Sequence, residues 1–260
     1  MNRAPLDIER LRGALLPRWS RVEIVAETAS TNTDLLDDPS APDRSVLVAE
    51  NQLGGRGRLD RVWVSPPRAG LTVSVLFRPT VPLVRWGWLP LLAGVALREA
   101  VTATTGVPTS LKWPNDLLAP SGGKLAGVLA QTAEDVVVIG IGLNVSTTAA
   151  ELPVDTATSL ALAGASAPDR TDLLVAILTD LDSRVAQWAD ADGDPAACGL
   201  AAAYRARSAT IGATIRVQAS SGRPLIGRAL DIDEMGRLLV QTDQGVQAVT
   251  AGDVEQLRPA

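Results

Sequence analysis

The stretch "SLKWPNDLLAPSGGKLAGVLAQTAEDVVVIGIGLNV", residues 110–145, decides the fold. Its last part, "DVVVIGIGLNV" at 135–145, is nearly all apolar. A run of that kind is a strand buried on both faces, so it belongs near the centre of a sheet. "KLAGVLAQ" at 124–131 is a second strand, and "SLKW" at 110–113 is a short third one. The residue before a proline is pushed toward extended backbone, so Trp113 ends its strand and Pro114-Asn115-Asp116 turns. Strand follows strand with no helical period between them, which excludes a strictly alternating doubly wound sheet and points to an α+β architecture.

Working outward toward the N-terminus, "LTVSVLF" sets Leu71, Val73, Val75 and Phe77 on one face of a strand. A helix lies between it and the central stretch, with Leu89, Leu92, Ala96 and Ala100 on one side. Pro90 suits that helix's first turn and Gly106 its end. Further out come strands "SVLVAE" (45–50) and "VEIVA" (22–26), a short helix in "STNTDLL" capped by Ser30 or Thr31, and a helix over 5–16 carrying Ile8, Leu11 and Leu15. Toward the C-terminus, residues 146–168 read as a long loop rich in Ala, Thr and Pro. A helix over about 170–189 aligns Leu174, Ile177, Leu181, Val185 and Trp188, and a shorter one covers 196–207. From Ser208 the composition changes to short strands, "TIRVQ", "LIGRALDID", "RLLVQT" and "VQAVT", divided by turn signals. That pattern predicts a small β-barrel, and two domains at 1–207 and 208–260.

Composition narrows the chemistry. The net charge of −5 argues against a nucleic-acid binder that works by bulk charge. There is no histidine and one cysteine, Cys198, so histidine triads, thiolate zinc sites and internal disulfides are excluded. A metal here is a hard cation such as Mg²⁺ held by carboxylates and substrate phosphates. No apolar run reaches the roughly 20 residues of a membrane helix, and "MNRAPLDIER" has no signal-peptide core, so a reducing cytoplasm is expected. Of 24 basic residues only Lys112 and Lys124 are lysine, and both lie in the stretch quoted first. Either they are survivors on a surface, or a site there needs a compact ammonium that arginine cannot imitate.

Five motifs are candidates for chemistry. "GGRGRLDRVW" (54–63) alternates glycine with Arg56, Arg58 and Arg61 directly after a strand, as a solvated loop or as a cationic lid over an anion. It lacks the Gly-Lys-Ser/Thr of a P-loop and the third glycine of a dinucleotide fingerprint. In "KWPND", Asn115 and Asp116 suit a plain turn equally with a nucleotide and its Mg²⁺. In "GGKLAG", Lys124 follows two glycines and can meet a carboxylate or phosphate, while Gly127 leaves room for a flat ligand. Gly140 and Gly142 interrupt a buried strand, which fits a bulge or a close neighbour, and Asn144 ends it. Ser30, Thr31 and Asn32 combine a helix start with small hydrogen-bonding groups.

Taken in order, "STN" at 30–32, "ENQLGGRGR" at 50–58, Trp63, "LKWPND" at 111–116, "GGKLAGVL" at 122–129 and "IGLNV" at 141–145 resemble the biotin protein ligases. The resemblance covers about residues 22–160, and the terminal β module fits in position and size. It implies a mixed, largely antiparallel sheet packed with helices, followed by an SH3-like barrel. It implies an ATP-dependent ligase that makes biotinyl-5′-AMP and pyrophosphate, then transfers biotin to a lysine of a biotin carboxyl carrier domain. By resemblance Lys124, Arg58 and Asp116 are catalytic. Ser30, Thr31, Asn32, Gln52, Gly55, Arg56, Gly127 and Gly142 would hold biotin. Arg56, Arg58, Arg61, Trp63, Asn115, Lys124 and Asn144 would hold ATP and the adenylate. Mg²⁺ would accompany ATP, with Asp116 as an indirect contact and no metal site built of protein alone. A monomer or weak homodimer is expected, with no nucleic acid or membrane partner. Two departures stand out. Asp60 replaces a glycine that the family usually has in the loop, and too few residues precede "VEIVA" for the DNA-binding domain some members carry. The rival readings are a lipoate-type acyl ligase, which shares the fold, and a non-catalytic biotin or adenylate binder.

Overall fold

The computed structural model describes residues 3–16, 18–58, 61–218, 224–250 and 252–257. Helix α1 (Ile8–Leu15) is capped by Asp7, whose side chain accepts from Arg10 N. Strand β1 (Arg21–Val25), helix α2 (Thr31–Leu36), β2 (Ser45–Ala49) and β3 (Gly70–Phe77) follow. A 3₁₀ turn (Leu83–Trp88) leads into α3 (Leu89–Thr105). That helix has its proline in the first turn and ends at Gly106, whose φ of 71° is the left-handed conformation expected of a C-terminal glycine. Strands β4 (Ser110–Lys112), β5 (Asp116–Leu118), β6 (Lys124–Ala133) and β7 (Val136–Asn144) complete the first sheet. Helices α4 (Arg170–Asp190) and α5 (Leu200–Arg207) precede β8 (Thr214–Gln218), β9 (Leu225–Ile232), β10 (Leu238–Thr242), β11 (Gly245–Val249) and β12 (Asp253–Gln256).

The first sheet runs β1-β2-β3-β7-β6-β5-β4, and the second β11-β10-β9-β8-β12. Only β1 and β2 pair parallel; every other named pairing is antiparallel. The mixed, largely antiparallel sheet is thus as expected, and β7 is its central strand.

Side chains alternate across a strand, and on β7 the two faces have different work. Val137, Ile139, Ile141 and Leu143 point into the main core with α1, α3 and α4. Their alternates are Val138, Gly140, Gly142 and Asn144. Val138 joins a smaller cluster under α2 with Leu35, Leu47 and Leu76. The two glycines and Asn144 leave the rest of that face bare.

The structure corrects the reading of several segments. Asp116 opens β5 instead of closing a turn, because β5 pairs on both sides, with β4 and β6. Strand β12 was not legible in "DVEQ", whose single apolar residue, Val254, is buried while Glu255 and Gln256 are exposed. The short helix starts at Leu200, since 196–199 form turns that end on Gly199 at φ 75°.

The second sheet is locked to the first by aromatic N–H groups. Trp113 Nε1 donates to Gly236 O at 3.2 Å and Trp88 Nε1 to Asp233 O at 3.0 Å. Trp113 N donates to Thr210 Oγ1 at 2.9 Å. Gly236 has φ 82°, and a Cβ there would collide with Gly87 O. The β9–β10 turn therefore sits directly on the backbone of the 3₁₀ turn.

Candidate active site

Register places the site. Thr72 of β3 is level with Gly142 of β7, which is level with Gly127 of β6, which is level with Asp116 of β5. One step along, Ser74, Gly140 and Leu129 form a second row. Where glycines stand in these rows, other side chains lie down on the backbone. A Cβ at Gly142 would strike the indole of Trp63, and one at Gly140 would strike Asn32 Oδ1. Gly127 faces Lys124 Nζ and the Trp63 ring. The close neighbours expected from glycines in an apolar strand are present.

Above the rows lies an open cleft of about 1320 Å³. Ser30, Thr31, Asn32, Gln52, Arg56, Arg58, Arg61, Trp63, Asn115, Asp116, Lys124, Gly127, Gly142 and Asn144 all line it. Gly55 does not; it is buried under Trp63, whose N–H donates to Gly55 O at 2.8 Å. Lys112, singled out in the sequence as one of two lysines but given no role, lines it too, and sequence reasoning missed the segment 153–158 and the residues Val254, Glu255 and Gln256 of β12.

Lys124 is held tightly. Its N–H donates to Thr156 O at 2.8 Å and its carbonyl accepts from Thr158 N at 2.9 Å, so the 153–158 segment lies beside it like an added strand. Asn144 Nδ2 donates to Thr158 O at 3.0 Å and fixes that segment. The Lys124 ammonium is 2.6 Å from Asp116 Oδ1, an ion pair lying off the direction of a hydrogen bond. It is also 5.9 Å from the Trp63 ring centroid. Asn115 Nδ2 donates to Val128 O at 3.0 Å, tying the "PND" corner to β6. Behind Asp116, burial and then the charge of Asp116 push the Tyr204 hydroxyl far above its ordinary range, so it stays protonated.

The described parts of the Gly/Arg segment, 54–58 and 61–63, pair as the two arms of a hairpin. Gly57 N donates to Arg61 O at 2.6 Å, and Arg56 bridges Val62. This hairpin lays Trp63 into the cleft, where Trp63 Nε1 is buried without a hydrogen-bond partner among the described residues. Asp60 lies outside the described residues. The two stems of the segment meet at a buried ion pair. Arg68 N donates to Glu50 O at 2.8 Å. Arg170 Nη1 donates to Glu50 Oε2 at 2.7 Å and to Gly70 O at 3.2 Å, and Arg170 Nη2 donates to Ala4 O at 2.7 Å. Among the described residues no group of three or more Cys, Asp or Glu is arranged to hold a metal ion, and no helix is long and apolar enough to cross a membrane.

A cleft floored by bare backbone, with the Lys124–Asp116 pair beside the glycine row and arginines at its rim, suits a flat neutral ring joined to anionic groups. Comparison with known proteins agrees. Residues 23–145 match the Biotin/lipoate A/B protein ligase family, and residues 210–256 match the Biotin protein ligase C terminal domain. A biotin--[acetyl-CoA-carboxylase] ligase of Mycobacterium tuberculosis is 44% identical over 98% of this chain and 97% of its own. The bifunctional ligase/repressor BirA of Bacillus spizizenii is 33% identical over 90% of this chain and 72% of its own. In structure, the biotin protein ligase from Aquifex aeolicus in complex with biotin and ATP is similar with a TM-score of 0.76 at 26% identity, over 92% of this chain and 99% of that one. Fold, ordered motifs and full-length similarity together place this chain in the biotin/lipoate A/B protein ligase family, among the biotin protein ligases.

Proposed function

We propose that this chain activates biotin with ATP and transfers the biotinyl group to a lysine of a carrier domain. The observation that carries the reading is Lys124, an ammonium set 2.6 Å from Asp116 at the end of the glycine row. In the first step a biotin carboxylate oxygen attacks the α-phosphorus of ATP, the bond to the β-phosphate bridging oxygen breaks, and pyrophosphate leaves. Two anions must approach, and a preorganised cation between them lowers that barrier. Lys124 stands where it can face both. Arg56, Arg58 and Arg61 of the hairpin neutralise the phosphates, and the closed loop keeps water from the mixed anhydride. Trp63 offers a ring face to the adenylate, with Asn115 and Asn144 beside it.

In the second step the carrier's lysine amine attacks the acyl carbon, the acyl–phosphate bond breaks, and AMP leaves with the electron pair. Asp116 accepts the amine's proton or orients it. Mg²⁺ would come with the triphosphate and offset its charge; with no group of three carboxylates arranged to hold a metal among the described residues, Asp116 would serve as an outer contact rather than part of a cage.

The test is biotin-dependent pyrophosphate release from Mg·ATP, with and without a biotin carboxyl carrier domain. Sustained release that rises with the carrier supports the ligase. A single stoichiometric burst that the carrier does not relieve places the fault in transfer. Release with lipoate but not biotin, or none at all, overturns the reading.

A further inference from the structure

A buried chain of hydrogen bonds runs beneath the end of the cleft that Ser30 and Thr31 line, and its direction can be worked out. Thr31 Oγ1 is 2.6 Å from Ser74 Oγ, and Ser74 Oγ is 2.6 Å from Asn32 Oδ1. Asn32 Nδ2 is 2.8 Å from Gln131 Oε1 and 3.3 Å from Leu129 O. Ser74 is fully buried and does not reach the cleft. Side-chain amides can be turned round, and hydroxyls rotate. Both ends of this chain are main-chain groups that cannot.

Leu129 O can only accept, so the Asn32 nitrogen faces it and Asn32 Oδ1 faces Ser74. An amide oxygen has no hydrogen to give. Ser74 must then spend its one hydrogen on Asn32 Oδ1. That leaves Ser74 accepting from Thr31, so the Thr31 hydroxyl hydrogen is committed inward. At the other end, Thr31 N donates to Gln52 Oε1 at 3.0 Å, which fixes the Gln52 amide as well. Thr31 Oγ1 also lies 3.2 Å from that oxygen, but a hydrogen spent there would leave the Thr31 and Ser74 oxygens 2.6 Å apart with no hydrogen between them, so the shorter contact takes it. Thr31 Oγ1 therefore shows the cleft lone pairs only. Its neighbour Ser30 is the reverse. Ser30 Oγ accepts from Thr33 N as the helix cap and keeps a hydrogen to give.

We propose that Ser74 is a positioning residue: by accepting the Thr31 hydroxyl it makes this end of the cleft selective for a ligand that brings an N–H beside a carbonyl. A cyclic urea has that pairing, its N–H donating to Thr31 and its oxygen accepting from Ser30. The inference rests on the reading of the cleft as a biotin site. A site of fixed polarity rejects a wrong-sense ligand strongly, because an acceptor then faces an acceptor.

Two measurements test it. Neutron diffraction from crystals of the deuterium-exchanged protein should show the Thr31 deuteron on the line to Ser74 Oγ. A deuteron pointing at Gln52 or into the cleft overturns the proposal. Titration calorimetry with biotin and with its two cyclic carbamate analogues, each carrying oxygen in place of one ureido N–H, reads the consequence. The native chain should bind one carbamate at least 100-fold more weakly than biotin, and Ser74→Ala should cut that discrimination at least fivefold. Ser74→Cys, close in volume and a poor acceptor, replaces the alanine variant if that one fails to fold. Equal discrimination in native and variant proteins overturns the role of Ser74. A deuteron on the Ser74 line in a protein that binds no biotin upholds the hydroxyl's direction and overturns the ligand reading instead.

Discussion

At the scale of single residues the cleft depends on shape as much as on charge. Lys124 fits between Asp116, the Trp63 ring and the bare backbone of Gly127. A guanidinium is planar and larger, and it directs its hydrogen atoms differently. Lys124→Arg keeps the charge yet should slow pyrophosphate release at least 100-fold with little change in melting temperature. Turnover within a few-fold of the native rate would remove Lys124 from the first step. The glycines of β7 were legible because glycine in an apolar strand sacrifices stability and needs a neighbour. The neighbours' identities were not, since Trp63 and Asn32 reach Gly142 and Gly140 from distant parts of the chain. Ser74 reads as an ordinary polar alternate in "LTVSVLF", and Gln131 as the end of a strand; only register shows that they serve Asn32.

Between elements, the hairpin arms at 54–58 and 61–63 owe their place to their stems. Arg170 and Glu50 are 8% and 9% exposed, so neither charge has water to fall back on. Removing one member of a buried pair leaves the other uncompensated, at about 3–5 kcal/mol, whereas removing both costs much less. Arg170→Met should therefore lose about that much in urea unfolding, and adding Glu50→Gln should recover part of it. Because Arg170 also holds Gly70 O, both variants should be cut faster by protease within 51–68. Full recovery of protease resistance in the double variant would show that the pair anchors the fold alone. Arg58→Ala belongs to the same element: the hairpin should release biotinyl-AMP faster, measured by pulse-chase. In the sequence Arg170 is only the start of a helical stretch, because nothing local signals a partner just past β2. The alternating arginines of the hairpin were legible, but its base pairing, Gly55 with Trp63 and Gly57 with Arg61, was not.

For the molecule as a whole, two carboxyls held low by their partners contribute to the loss of stability in acid. The Arg3 guanidinium, with the Thr148 N–H and hydroxyl, holds Glu151 at about 2 against an ordinary 4.5. Ser40, then Arg21, holds Asp38 at about 2 against 3.8. Both groups bind protons more readily unfolded, so their contribution is complete above about 4.5 and fades as the pH falls to 2. Glu151→Gln should flatten the fall of melting temperature across that window; an unchanged slope would assign that loss elsewhere. The α+β plan and most strands were legible from period and punctuation, while the grip of Trp113 and Trp88 on the β9–β10 turn was not, since it joins indole N–H groups to main-chain carbonyls. One last feature reaches beyond the cleft. The only two lysines in the sequence, Lys112 and Lys124, both line it. An escaped acyl-adenylate acylates free amines, and a guanidinium stays protonated and inert. The chain's exterior carries arginine where other proteins carry lysine, so an escaped reagent meets few amines there. The protein's intact mass should hold steady through prolonged incubation with biotin and ATP, while a variant with exposed arginines changed to lysine accumulates a ladder of adducts.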